Sequence, residues 1–205
     1  KSRLNIPEGF SLDSLDGLVS PGITTAMYRP DGSRRSFPVA YYNIAPENHN
    51  ELLSVSCDYF KSGTIAAGLC ALTGGDHATI AIITEGQSNH QVQSYQQRVE
   101  GFSRRIAEGY PNCRIVGTLF IHNDPEVDER LLREFLGENP GITAIYLVNP
   151  GNYEVCRIIR ALDQKKEISV VPNDLVPVQE EMVRNGIISA TITQEPEKQG
   201  SMPLE

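Results

Sequence analysis

From about residue 65 onward, short apolar runs alternate one for one with longer stripes of apolar residues three and four positions apart. The runs are 79–84 (TIAIIT), 114–121 (RIVGTLFI), 142–148 (ITAIYLV), 168–171 (ISVV) and 187–193 (IISATIT). Rich in Ile and Val and nearly continuous, they read as strands buried on both faces. Between them Val99, Phe102 and Ile106 mark one helical stripe, and Leu131, Leu132, Phe135 and Leu136 a second. Val155, Ile158, Ile159 and Leu162 mark a third, and Met182 with Val183 a short fourth. Such alternation predicts right-handed βαβ crossovers, hence an α/β fold with an open, mostly parallel sheet flanked by helices on both faces. Gly74-Gly75, Asn139-Pro140-Gly141, Pro172-Asn173-Asp174 and Asn185-Gly186 fall where elements should end.

The first 60 residues follow another pattern. Two short strand candidates, 15–19 (LDGLV) and 38–42 (PVAYY), flank a polar loop rich in Gly and Pro. A lone pair of strands makes no domain. They either extend the same sheet or belong to a second lobe.

With 205 residues, 40% of them hydrophobic and 21% charged, the chain is long and apolar enough for one large α/β domain or two small ones. Its formal net charge of −8 supplies no positive field toward phosphate backbones, so DNA binding by this chain itself is not expected. Arg29, Arg34 and Arg35, around Pro30-Asp31-Gly32, read as solvated loop charges. Cys57, Cys70, Cys113 and Cys156 contain no CxxC pair, which argues against structural zinc or a redox motif and for buried, reduced thiols. No apolar run approaches the roughly 20 residues of a membrane span.

In open parallel sheets, ligands bind beyond the carboxyl ends of the strands. Asn43, Glu85, Asn149, Asp174 and Gln194 occupy those positions, and all are polar. Asn149 and Asp174 could equally cap the helices that follow them. Enzymatic signatures are missing: there is no GxSxG, P-loop or HExxH, and no GxGxxG follows a strand. His49, His77, His90 and His122 show no metal spacing and read as surface or capping residues. Asp58 with Asp174 is the one carboxylate pair that could be nominated for glycoside hydrolysis. No catalytic residue, metal site or cofactor is therefore expected.

The run 182–200 (MVRNGIISATITQEPEKQG) is similar to the "L..G.I.ATI.Q.P..QG" signature of the type I periplasmic-binding-protein fold, which lactose-repressor-family regulators share with ribose-type sugar-binding proteins. Further matches follow in order. Residues 55–58 (VSCD), followed by Ser62-Gly63 and an Ala/Leu-rich helix, resemble the family's Asp-before-Gly helix start. Residues 77–83 (HATIAII) resemble its "H..IA.I" strand, 98–102 (RVEGF) its "R..GF" helix, and 170–174 (VVPND) its "VVGFD" segment. The resemblance covers about residues 15–205.

It implies the effector-binding domain of a lactose-repressor-family regulator, with a partial N-terminal lobe over 1–76, a complete C-terminal lobe over 77–193 and a crossover over 194–205. In the family, a sugar or other small polar metabolite sits in a cleft between the lobes. Carried over by position, Arg98, Asn149, Asp174 and Gln194 match the ligand contacts, and Asn43 falls where ribose-type proteins carry Asp. For Arg98 the alternative is a helix-surface arginine paired with Glu100. The resemblance also implies a cytoplasmic homodimer that touches operator DNA only through a headpiece absent from this chain. The other family role is the periplasmic sugar receptor of an ABC transporter. Three departures bear on ligand identity: Pro150 stands where the family has Asp, Pro172-Asn173 where it has Gly-aromatic, and Ile44 where ribose-type proteins have Arg.

Overall fold

The computed structural model describes residues 9–21, 27–43, 51–86, 92–165 and 167–204. Along the chain these form β1 (Leu18–Ser20), β2 (Val39–Tyr42), β3 (Leu53–Val55), α1 (Tyr59–Gly74), β4 (Thr79–Glu85), α2 (Val92–Gly109), β5 (Arg114–Ile121), α3 (Pro125–Glu138), β6 (Ala144–Pro150), α4 (Tyr153–Leu162), β7 (Ser169–Asn173), α5 (Pro177–Arg184) and α6 (Pro196–Ser201), with 3-10 turns at Leu12–Ser14 and Met202–Leu204. The fold is α/β, with parallel sheets flanked by helices, as the alternation of runs and stripes predicts.

The chain divides into two compact units, residues 1–57 with 195–205, and residues 58–194. In the first, β1, β2 and β3 form a parallel sheet in that order, registered Leu18 to Val39 and Ala40 to Leu53. Met27, Val39 and Tyr41 form its small core. The N-terminal strands thus build a sheet of their own, while β3, only three residues long with Leu53 exposed, has too weak a pattern to be read from sequence. Asp13 pairs with Arg29 at 2.9 Å and with Arg35 at 2.5 Å. Arg35, whose side chain is only 9% exposed, is therefore not the solvated loop charge its setting suggests.

In the second unit four parallel strands run in the order β5-β4-β6-β7. Alternate residues of β4 enter opposite cores: Ile80 and Ile82 pack with Phe102, Ile106 and Tyr146, and Ala81 and Ile83 with Leu132, Ile145 and Ile159. Both faces are dry, which explains the unbroken hydrophobicity of the strands. Residues 59–74, grouped above with the first lobe, belong here, because Ala66, Ala67 and Cys70 of α1 are buried in the first of those cores.

Helix starts follow local chemistry. Asp58 caps α1 by accepting from the Lys61 N–H at 2.8 Å, and Asp124 caps α3 at the Glu126 and Val127 N–H groups, with Pro125 in the first turn. The buried face of α1 is made of small residues, Ser62, Gly63, Ala66, Ala67, Cys70 and Ala71, so α2 can approach its backbone closely.

One expected strand does not form. Residues 187–193 run beside β7 and donate Ser189 N–H to the Val170 carbonyl and Ile192 N–H to the Pro172 carbonyl, but only the isolated Asn173–Ile192 bridge qualifies as sheet pairing. Pro172 has no N–H to return, and the Val170 N–H is taken by the Ser189 hydroxyl, so the ladder cannot propagate along this edge.

Candidate functional site

At the carboxyl ends of β4, β6 and β7 the polar residues of the second unit come together. Arg98, on the inward face of α2, is 1% exposed. Its Nη1 donates to the Val148 carbonyl at 3.3 Å, and its guanidinium carbon lies 4.9 Å from the centre of the Tyr59 ring. Nε and Nη2 are buried and have no partner among the described residues. The surface pairing with Glu100 is thus excluded by burial.

Asn149 is completely buried. Its Oδ1 accepts from the Glu85 N–H at 2.7 Å and the Thr84 hydroxyl at 3.0 Å, tying the end of β6 to the end of β4. Its Nδ2 has no hydrogen-bond partner among the described residues. Tyr95 of α2 carries the nearby phenol whose acidity the rim groups alter. Burial pushes that phenol above its ordinary pKa; the Asn149 amide and Arg98 oppose the rise, and Glu85 and Asp174 add to it. Tyr95 therefore sits within the field of all four groups.

Asp174 follows β7 in a left-handed conformation, φ 67°, and its N–H donates to the Ile192 carbonyl at 2.7 Å. Gln194 donates from Nε2 to the Asp174 Oδ1 at 2.6 Å. Neither Asn149 nor Asp174 caps a helix: the N-cap positions of α4 and α5 are Asn152 and Val176. Asn152, just beyond β6, is 6% exposed and leaves Nδ2 unpartnered among the described residues. Asn43 lies in the other unit, exposed after β2, with φ 66° and its N–H donating to the Val55 carbonyl at 2.8 Å.

Arg98, Asn149, Asp174 and Gln194, more than 90 residues apart at their extremes, thus meet at one rim of one sheet. The rim offers a fork of buried N–H donors, an amide donor and a carboxylate acceptor. Unpaired buried donors cost free energy until a partner arrives, and vicinal hydroxyls, each both donor and acceptor, match such a set. Tyr59, Tyr95, Asn152 and Asn173 are residues of this rim that sequence reasoning missed. Tyr59 and Tyr95 lie inside helices, where only the fold reveals which way they face.

Among the described residues no group of three metal-ligating side chains converges. His77 and His122 are exposed, and His49 and His90 lie outside the described residues. Asp58 is engaged in capping α1. The cysteines form no disulfide: Cys70 and Cys156 are buried, Cys57 and Cys113 half-buried. Among the described residues no helix is long and apolar enough to cross a membrane.

Residues 33–205 match the family described as periplasmic binding protein domain. The chain belongs to that family. Solved structures agree on the fold. The chain superposes on the glucose-galactose binding protein GanP of Geobacillus stearothermophilus with a TM-score of 0.76 and 20% identity, over 93% of this chain and 68% of that one. An ABC transporter periplasmic solute binding protein of Actinobacillus succinogenes with bound D-allose gives a TM-score of 0.77 at 20% identity, over 94% and 70%. XylFII gives 0.74 at 23%, over 92% and 69%. Comparison with curated protein sequences finds no match. Membership explains the order of elements in the second unit, in which every strand is followed by a helix and every carboxyl end faces the same rim.

Proposed function

We propose that this periplasmic-binding-protein domain is a sugar receptor and not an enzyme, with Arg98, Asn149, Asp174 and Gln194 as ligand contacts. The observation that carries the reading is Arg98, a fully buried guanidinium with two donor nitrogens that have no partner among the described residues at the carboxyl rim. A polyhydroxylated ring satisfies both through adjacent oxygens, and Asp174 accepts from a further hydroxyl. The likeness to proteins named for glucose, galactose and D-allose supports the same ligand class. The experiment is isothermal titration calorimetry against D-allose, D-arabinose, D-glucose, D-galactose and a panel of disaccharides. Binding of one of them, abolished by Arg98→Ala, is expected. Absence of binding across the panel overturns the reading.

Two settings suit such a receptor. The C-terminal signature and four cysteines without a disulfide favour the cytoplasmic effector domain of a lactose-repressor-family regulator, acting as a homodimer on operator DNA through a separate headpiece. The transport proteins among the structural neighbours favour the extracytoplasmic solute receptor of an ABC transporter. Locating the full-length gene product by cell fractionation separates them: a cytosolic, DNA-retained protein supports the regulator, an exported one the receptor.

A further inference from the structure

At residue 147 the ladder between β6 and β7 slips. Pairing passes from Leu147–Pro172 directly to Pro150–Asn173, which leaves Val148 and Asn149 opposite no residue of β7. The pairing of β6 with β4 ends at the same place, Ile83–Leu147. Beyond it two asparagine side chains replace the backbone. Asn149 holds the end of β4, as described above. Asn173 holds the bulge: its Nδ2 shares its two hydrogens among the Val148 carbonyl at 2.9 Å, the Leu147 carbonyl at 3.1 Å and the Tyr146 hydroxyl at 3.2 Å. The Asn173 side chain is completely buried; the Leu147 and Val148 carbonyls, which can only accept, fix which way its amide faces, and its Oδ1 accepts from the Ser62 hydroxyl of α1 at 3.2 Å. The Val148 oxygen that receives Asn173 is the same one that receives Arg98 Nη1.

We propose that Asn173 is a positioning residue for ligand binding: by pinning the Val148 carbonyl inside the bulge, it holds the Arg98 guanidinium with Nε and Nη2 presented to the ligand. The assignment of the ligand rests on the sugar-receptor reading above; the positioning of Arg98 does not. A carbonyl oxygen has two lone pairs, and here one side chain occupies each. A bulged peptide lacks the ladder bonds that would otherwise hold it, so without the Asn173 amide the Val148 carbonyl is free to turn and carries the anchor of Arg98 with it. Hydrogen bonds weaken steeply with angle, so a small rotation of the guanidinium suffices to misplace both free donors.

The test compares two changes at the clamp in the full chain, with Arg98→Lys for assignment and as a second background. Asn173→Ala removes the clamp, and Ser62→Ala, which deletes one hydrogen bond and leaves the amide in place, is the milder change should the first fail to fold. In ligand-free protein, 15N NMR of the Arg98 Nε–H, assigned by its loss in Arg98→Lys, is expected to show a rigid side chain in the parent, a motionally averaged one in Asn173→Ala and an intermediate one in Ser62→Ala. An Arg98 signal equally rigid in parent and variants overturns the proposal. With D-allose and D-arabinose as probes, Asn173→Ala is expected to weaken binding about tenfold. The same change should have no further effect in an Arg98→Lys background. Fully additive losses overturn the positioning role even where affinity falls. Failure of the parent protein to bind either probe counts against these sugars as ligands and leaves the NMR comparison to decide on Asn173.

Discussion

Gly63 of α1 sits against the backbone of Arg98 so closely that a Cβ added to it would lie 1.9 Å from the Arg98 carbonyl oxygen. Gly101, one turn along α2, makes the reciprocal contact, with a Cβ 2.0 Å from the Phe60 carbonyl oxygen. The helix that carries the buried arginine is thus seated by two glycines. Both neighbours are backbone atoms, which cannot step aside as a side chain can. Gly63→Ala and Gly101→Ala are each expected to destabilise the domain by about 3 kcal/mol or more. Gly68→Ala, whose Cβ meets only the Tyr110 hydroxyl at 3.2 Å, is the control and should be nearly neutral. Urea denaturation of the three variants checks this; equal effects at all three positions would show that the interhelical approach is not the constraint.

A buried guanidinium with two nitrogens unpartnered among the described residues is a burden on the ligand-free protein. Arg98→Met keeps the length and the apolar stem, gives up one hydrogen bond and the stacking on Tyr59, and removes a desolvated charge. Replacing buried charges by apolar groups of similar size is often stabilising by about 1–4 kcal/mol. Arg98→Met is therefore expected to raise Tm while abolishing the ligand-induced rise in Tm expected of the parent. Scanning calorimetry with and without the best-binding sugar measures both. A fall in Tm on substitution would mean that Arg98 serves stability rather than binding.

The second unit was largely legible in the sequence because its strands are buried on both faces and its helices on one, so hydrophobic period alone separates them. The run 114–121 becomes β5 without change, and 79–84 becomes β4 with one residue added. The reading failed where pairing partners, not hydrophobicity, decide. Residues 187–193 are as apolar as a strand, but Pro172 on the neighbouring edge cannot answer them. Arg98, Asn149, Asp174 and Gln194 could be nominated because three of them follow apolar runs and the fourth stands in a motif. Asn173 could not, since it lies one residue from Asp174 at the end of a run, and nothing local shows that its amide reaches back into a bulge in the adjacent strand.

The two buried thiols give the domain an alkaline limit. Burial pushes Cys156 up to about 12 from an ordinary value of 9.0, and Cys70 is raised further by the same cause. The folded state thus keeps these protons where the unfolded chain releases them. Their contribution is complete below about pH 9 and is lost progressively as pH rises from the unfolded pKa through the folded one. Denaturation midpoints should fall between pH 9 and 11, and fall less in Cys70→Ala and Cys156→Ala. Native alkylation at pH 8 should modify Cys57 and Cys113 well before Cys70 and Cys156, as read by mass spectrometry. Early modification of Cys70 would contradict its burial.

Asp174 unites backbone and binding at one position. Its φ of 67° is a conformation that Asn and Asp adopt more readily than other residues with a Cβ, and its carboxylate receives Gln194 at 2.6 Å. Asp174→Asn keeps the conformation and the volume but removes the charge that strengthens the acceptor, whereas Asp174→Ala also adds backbone strain. Charge-assisted hydrogen bonds contribute about 1.5–3 kcal/mol, so Asp174→Asn is expected to weaken sugar binding roughly ten- to a hundredfold. Its Tm should stay close to that of the parent. Asp174→Ala should lose binding and also about 1 kcal/mol of stability to strain. Gln194→Leu, which leaves the carboxylate without its neutral partner, should weaken binding less than Asp174→Asn does. Calorimetric titration paired with thermal melts separates these outcomes, and an Asp174→Asn variant with parental affinity would remove Asp174 from the ligand contacts.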